Sequence, residues 1–205
     1  MEKHLLDNIE IIGFSGKLGS GKNYIVENLF FPTLTLLKPT LCMAFADHIK
    51  VDLCVKKNIE YDKLFFSKDA ETRRLLQLEA TENGRMIYGD DIWINTLDTW
   101  IKIYASRGIK QFIITDVRFE NEFEYIKSLG GINILVIATD RVTQKLFEES
   151  YGDEYKMNEI KSHSSEKGLD HMIDKFDYVI YNNINDNPNI IEDRVTDILK
   201  NICNK

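Results

Sequence analysis

The stretch from Gly13 to Leu29 reads GFSGKLGSGKNYIVENL, and its middle suits one kind of chemistry. Glycines at 16, 19 and 21 let the backbone turn so that successive amide N–H groups face phosphate oxygens, and the start of a following helix adds the positive end of its dipole. Lys22 supplies a full positive charge to the β- and γ-phosphates. Gly16, Lys17, Leu18, Gly19, Ser20, Gly21 and Lys22 therefore predict a loop that holds ATP, with Mg²⁺ as counter-ion. A Ser or Thr hydroxyl normally follows the lysine and binds that ion, whereas this chain has Asn23. The asparagine oxygen is also a hard, neutral donor, so the expected metal position is Asn23, directly or through water, with Asp116 carrying the negative charge.

A second anion would have to be met by side chains elsewhere, and three polar clusters offer themselves. Phe45-Ala46-Asp47-His48-Ile49-Lys50 places Asp47 and Lys50 three apart, on one helix face; the plainer alternative is an N-cap aspartate with a solvated lysine. Asp116-Val117-Arg118-Phe119-Glu120-Asn121-Glu122 places Arg118 and Glu122 at i, i+4, where Glu122 would hold the guanidinium toward a phosphate. A purely structural ion pair competes with that reading. Arg73 and Arg74, with Gln77 and Arg85, suit a planar anionic group because the arginine fork matches phosphate oxygens, although Arg74 reads equally well as a solvated helix charge.

These clusters need a frame. Runs of β-branched and aromatic residues at 9–14, 41–45, 111–115, 132–138 and 176–181 are separated by segments long enough for helices, which predicts an α/β fold with a parallel sheet and helices on both faces. The loop follows the first strand and precedes a helix from about Asn23 to Phe30. Trp93, Leu97, Trp100, Ile101 and Tyr104 form one apolar stripe after the capping candidates Asp90 and Asp91, and both tryptophans are expected in the core. Phe119, Phe123, Ile126 and Leu129 form a second stripe, stopped by Gly130 and Gly131. The segment 139–166 is dense in charge and reads as a partly helical, mobile excursion over the surface. In such sheets ligands bind at the carboxyl ends of the strands, near a topological switch point, which is where all three clusters fall.

Composition narrows the field further. At 205 residues and 43% hydrophobic content the chain reads as one globular domain, without linker or repeat. No run approaches the ~20 apolar residues of a membrane span, and the N-terminus lacks signal-peptide order, so a cytoplasmic location and no membrane partner are expected. The net charge of -7 argues against a nucleic acid polymer as partner. Three cysteines and four histidines, none in a ligand-like pair, predict neither disulfides nor a zinc site. No Asn-Lys-x-Asp element is present, which disfavours a signalling GTPase and favours a small-molecule kinase.

FADHIK after the second strand, RRLLQLEATENGR from Arg73 to Arg85 with Trp93 following, DVRFENE, Gly130-Gly131, Arg141, and His163-Ser164-Ser165-Glu166 with Asn182 occur in that order. Together they resemble the deoxynucleoside monophosphate kinases of bacteriophages and large DNA viruses, over about 11–182. Members of that family often end the loop in Asp, so Asn23 resembles the amide form of that variant. The resemblance implies a P-loop nucleoside monophosphate kinase fold with a five-stranded parallel sheet, an acceptor-binding insert at about 46–90 and a lid at about 139–166. It implies a deoxynucleoside monophosphate as substrate and allows a homodimer. It also implies site roles: Gly16 to Lys22 bind the donor triphosphate, Arg141 opens the lid and touches the transferring phosphate, and Phe45, Asp47, Lys50, Arg73, Arg74 and Arg118 line the acceptor site. Lys22, Arg118 and Arg141 are the catalytic charges in this reading. The chain departs from the family at Glu79-Ala80-Thr81, where Leu-Gly-Thr is common. His163 to Glu166 reads either as part of the family's site or as a helix cap or lid hinge.

A monophosphate acceptor is already an anionic nucleophile near neutral pH and needs no general base, so the protein has to align two polyanions, neutralise moving charge and exclude water. Two rival readings stand beside this one. A kinase of a hydroxyl acceptor, of nucleoside or dephospho-coenzyme A type, would use Asp47 as base. A non-catalytic nucleotide-binding switch would use the loop alone.

Overall fold

The computed structural model describes residues 6, 9–66, 69–162, 169–184 and 187–203. The five β-branched runs become five parallel strands, β1 (Glu10–Ser15), β2 (Thr40–Met43), β3 (Gln111–Ile114), β4 (Ile132–Ile137) and β5 (Tyr178–Tyr181), in the spatial order β2-β3-β1-β4-β5. β1 lies at the centre, with Ile12 beside Ile113 of β3 on one side and Ile132 of β4 on the other. Burial on both faces explains the nearly unbroken apolar sequence of β1, β3 and β4.

After β1 the chain runs into a helix, α1, made of Lys22–Ile25, a π-helical turn Val26–Phe30, and Phe31–Thr35. α2 (Asp47–Lys57), α3 (Tyr61–Phe65) and α4 (Ala70–Ala80) follow β2, and α4 continues through a π-helical turn Thr81–Arg85 into Met86–Tyr88. α5 (Ile92–Ser106) leads to β3, α6 (Glu120–Ser128) to β4, and α7 (Thr139–Glu149) and α8 (Glu154–Ser162) come after β4. A 3₁₀ segment, Asp170–Lys175, precedes β5, and α9 (Pro188–Cys203) closes the fold.

Each face of the sheet has its own core. α5, α6 and the 3₁₀ segment pack on one face, with Leu97, Ile101, Phe112, Phe123, Ile126, Met172 and Phe176 buried together. α1 and α9 cover the other, where Phe14 meets Phe30 edge-on at 4.9 Å among Ile25, Leu34, Ile180 and Val195. Each such side chain removed from water contributes about 1.5–3 kcal/mol. A third, smaller cluster of Ile49, Leu53 and Leu64 holds α2 and α3 against Leu75, Leu76 and Trp93, so the 46–90 segment carries its own packing.

The stripe on α5 is rotated from the one expected. Ile94, Leu97, Ile101 and Ala105 face the core, while Trp100 is 40% exposed and stacks on Tyr104 at 5.8 Å. Trp93 does pack inward, donating from Nε1 to the carbonyl of Ala80 at 2.9 Å. Glu79, beside Ala80, pairs with Lys57 of α2, so the Glu79-Ala80-Thr81 stretch is the joint between α4 and its neighbours and is helical throughout.

The topology sets where ligands can go. β1 connects toward the β2 edge, whereas β3 and β4, its two neighbours, both connect toward the β5 edge. Crevices therefore open at the carboxyl end of β1 on both sides. The loop 16–21, the 115–119 segment and the start of α7 all emerge there.

Candidate active site

The loop after β1 is turned by Gly19 and Gly21, with φ of 81° and 78°. Both angles lie in the left-handed region, where a side chain is strained. Both positions are also crowded: a Cβ on Gly21 would stand 2.2 Å from Asn182 Nδ2, and one on Gly19 would stand 2.6 Å from Lys145 Cβ and 3.2 Å from the Arg141 carbonyl. The loop is thus braced from two sides. Asn182, just beyond β5, donates from Nδ2 to the Ser20 carbonyl at 2.9 Å, and α7 lies across Gly19. Lys17 reaches outward to Asp170 Oδ2 at 2.7 Å.

Lys22, at the first position of α1, is 9% exposed, and its ammonium donates to the Thr115 carbonyl at the end of β3. Its charge therefore sits at the carboxyl edge of the sheet, between the loop and the segment that starts with Asp116. Asn23, next along α1, is exposed. Asp116 accepts from two backbone amides, Phe45 N at 2.7 Å and Ala46 N at 3.0 Å, and so ties the end of β3 to the chain leaving β2. Its charge remains at the sheet edge, but each of its oxygens already accepts one bond. Among the described residues no group of three or more His, Cys, Asp or Glu could hold a metal ion.

On the other side of Asp116, Phe45 is 5% exposed and lies in the main core beside Ile94 and Val117. Asp47 and Lys50 share one face of α2 as their spacing requires, Lys50 Nζ donating to Asp47 Oδ1 at 2.6 Å. Asp47 Oδ2 accepts from Ala44 N at 2.8 Å, and the ammonium of Lys50 lies 4.8 Å over the Phe65 ring. The carboxylate is thereby fixed in orientation while staying 39% exposed.

Arg73 and Arg74 occupy different faces of α4. Arg74 is exposed, whereas Arg73 turns toward α7, its Nε 3.3 Å from Glu149 Oε1. Glu122 does not depend on an Arg118 side-chain pair for its place. Its Oε2 accepts from the backbone N of Arg118 at 2.7 Å and of Phe119 at 3.2 Å, capping α6, and its Oε1 meets Arg85 Nη2 at 2.5 Å. Arg85 also donates to the Asp90 carbonyl at 2.7 Å and lies 4.0 Å over the Phe119 ring, so it serves as a buried tie rather than a phosphate ligand. Burial, with a smaller push from Asp116, raises the Glu122 carboxyl to about 7, while the Arg118 N–H, the Arg85 guanidinium and the Phe119 N–H pull the other way. Arg118 itself is half-buried beside this cap.

Most buried polar groups in folded proteins are hydrogen-bonded, so the exceptions are informative. Among the described residues, the buried side-chain atoms without a partner are Ser20 Oγ, Arg73 Nε, Arg141 Nε and Asn133 Oδ1. The first three come from the loop, α4 and α7. Contacts link them in series: the Arg141 carbonyl and Lys145 lie over Gly19, and Lys145 and Arg73 both approach Glu149. Lys145, Glu149 and Asn182 were not among the expected site residues; the only sequence sign for the first two is their i, i+4 spacing. His163 to Glu166 lie outside the described residues.

No protein-family profile matches the chain, and no curated protein matches it. Among solved structures it is similar to TT1252 from Thermus thermophilus, with 15% identity, 94% of this chain and 97% of that one covered, and a TM-score of 0.58. Two shikimate kinases superpose less closely. The one from Bacteroides thetaiotaomicron has 14% identity over 95% of this chain and 98% of its own, with a TM-score of 0.49. The one from Acinetobacter baumannii, in complex with shikimate, has 14% identity over 98% and 97%, with a TM-score of 0.48. At these identities the likeness extends to the fold alone: five parallel strands flanked by helices, as expected. No helix among the described residues is long and apolar enough to cross a membrane.

Proposed function

We propose that the chain is a P-loop kinase that transfers the γ-phosphoryl group of ATP to a deoxynucleoside 5'-monophosphate. The observation that carries this reading is the set of buried donors that make no hydrogen bond, Ser20 Oγ on the loop and the Nε groups of Arg73 and Arg141 on two further elements. A nucleotide-binding switch needs the loop alone. Buried donors on α4 and α7, two elements tied to the loop through Lys145 and Glu149, support a second anionic ligand beside the first.

In this reading Gly16 to Lys22 wrap the donor phosphates, and Lys22 at the sheet edge neutralises charge on the group in transit. Arg141 covers the donor from the lid, while Arg73 and Arg118 take the acceptor phosphate. Asp47, held by Lys50 and the Ala44 amide, orients the acceptor. Bound Mg²⁺ would offset charge on the β- and γ-phosphates. Asn23, exposed on the first turn of α1, suits that ion, and Asp116, with both oxygens already accepting amides, suits contact through its water.

A hydroxyl acceptor is the second reading. It is favoured by Asp47, a partly exposed carboxylate on the acceptor side that could take a proton, and an acceptor of that kind, shikimate, is named for one of the solved structures above. Incubation with labelled ATP and Mg²⁺ against the deoxy- and ribonucleoside monophosphates, nucleosides, shikimate and dephospho-coenzyme A separates the two. Labelled deoxynucleoside diphosphate is the expected product; transfer to a hydroxyl with none to any monophosphate overturns the proposal.

A further inference from the structure

The lid helix α7 carries two side chains with no role assigned above, Lys145 and Glu149, one turn apart. Lys145 stands on the donor loop: a Cβ on Gly19 would meet its Cβ at 2.6 Å and its Cγ at 3.0 Å. Its ammonium is 3.3 Å from Glu149 Oε1. The same oxygen lies 3.3 Å from Arg73 Nε on α4. One carboxylate oxygen thus stands between a cation seated on the donor loop and a cation of the acceptor region. The Glu149 side chain is 9% exposed, so solvent screens these attractions less than at the surface; neighbouring Glu148, 3.5 Å from the same ammonium, is 51% exposed.

The geometry of the Arg73 contact matters as much as its length. Nε is within ion-pair range of Glu149 yet makes no hydrogen bond, because the carboxylate lies off the N–H direction. Coulomb attraction steers the guanidinium while its buried Nε hydrogen is left without an acceptor, which a phosphate oxygen would supply once the side chain shifts to meet it.

We propose that Glu149 is a positioning residue that couples the acceptor and donor sites. By drawing Arg73 and Lys145 to one oxygen, it makes the acceptor helix and the lid helix move as one body. A phosphate that settles on Arg73 then favours the lid position in which Lys145 covers the loop, and a bound donor favours the matching position of Arg73, by the reciprocity that linkage requires. The inference rests on the phosphotransfer reading above.

The test is titration calorimetry of a non-hydrolysable ATP analogue, alone and with saturating deoxynucleoside monophosphate, beside steady-state kinetics. In the wild-type protein the acceptor is expected to tighten the analogue by about tenfold. Glu149→Gln keeps the shape and removes the charge. It should leave the analogue's Kd without acceptor within about twofold, abolish the tightening, and lower kcat/KM for the acceptor by about the same tenfold. Glu149→Asp, which keeps the charge, should restore part of the coupling, a result that a purely structural role would not give. Lys145→Met breaks one arm and leaves Glu149 and Arg73 in place, so it should also reduce the tightening, with thermal melts confirming that each variant is folded. Turnover of monophosphates with full tightening in Glu149→Gln, or with none in the wild type, overturns the coupling and leaves the function standing. Absence of turnover on every monophosphate overturns the function, and the coupling with it.

Discussion

Lys22 and Asn23 are adjacent but carry unequal weight. Lys22 is buried at the sheet edge with its ammonium on the Thr115 carbonyl, so a phosphate that displaces that carbonyl gains a charge already desolvated by the fold. Lys22→Met should therefore slow single-turnover phosphoryl transfer by about 10³-fold or more, and a loss below tenfold would remove Lys22 from the chemistry. Asn23 is exposed on the first turn of α1 and offers only a neutral oxygen. Asn23→Ser should keep kcat within about fivefold, because a hydroxyl is an equivalent hard donor. Asp47 separates the two acceptor classes. Fixed by Lys50 and the Ala44 amide, it is placed to orient, so Asp47→Asn should raise the acceptor KM about tenfold with a smaller change in kcat. Collapse of kcat at unchanged KM would instead mark a base and favour a hydroxyl acceptor.

The Arg85–Glu122 contact joins the extension of α4 to the start of α6, and both side chains are almost fully buried. Removing Arg85 leaves the buried carboxylate without its counter-charge above about pH 7, so Arg85→Met should cost about 3–5 kcal/mol in urea unfolding at pH 8, and Glu122→Gln, which copies the neutral carboxyl, should cost less and recover part of that loss in the double variant. The pH dependence follows from the raised Glu122 carboxyl. Between the ordinary value of 4.5 and about 7 the folded protein holds a proton that the unfolded chain has released, so this group's stabilisation is complete below 4.5 and lost as pH rises through 7. Glu122→Gln should flatten the pH 5 to 8 stability profile; an unchanged slope would assign it to other groups. This pair also marks a limit of sequence reading. The five strands were legible because parallel strands buried on both faces are continuous apolar runs, and the loop was legible because its residues are consecutive. Arg85 and Glu122 lie 37 positions apart, so nothing local told that Arg85 belongs to a cap of α6 instead of a phosphate. The same holds for Trp100. A stripe defined by size fitted the helical period, but the sheet face selected Ile94, Leu97, Ile101 and Ala105, a rotation of about a sixth of a turn that only packing decides.

Across the whole chain, a formal charge of -7 coexists with a site whose buried and half-buried groups include Lys22, Arg73, Arg118 and Arg141. Ligands that bind only the folded state stabilise it by mass action, about 2.7 kcal/mol at a hundred times Kd. For a chain of 205 residues each kcal/mol moves the melting temperature by about 2–4 °C, so saturating ATP with Mg²⁺ should raise Tm by about 5–10 °C. In the proposed reading donor and acceptor share the edge of β1, since α7 touches the loop at Gly19 and α4 through Glu149. A bisubstrate analogue joining adenosine to a deoxynucleoside through five phosphates should therefore raise Tm further than either nucleotide at the same concentration, because joining the two halves makes the second contact intramolecular and lowers Kd. Scanning calorimetry of the wild type and Lys22→Met, with each ligand, decides it. A bisubstrate shift no greater than that of ATP would place the second anion elsewhere than beside the loop, and an ATP shift undiminished in Lys22→Met would place the donor there as well.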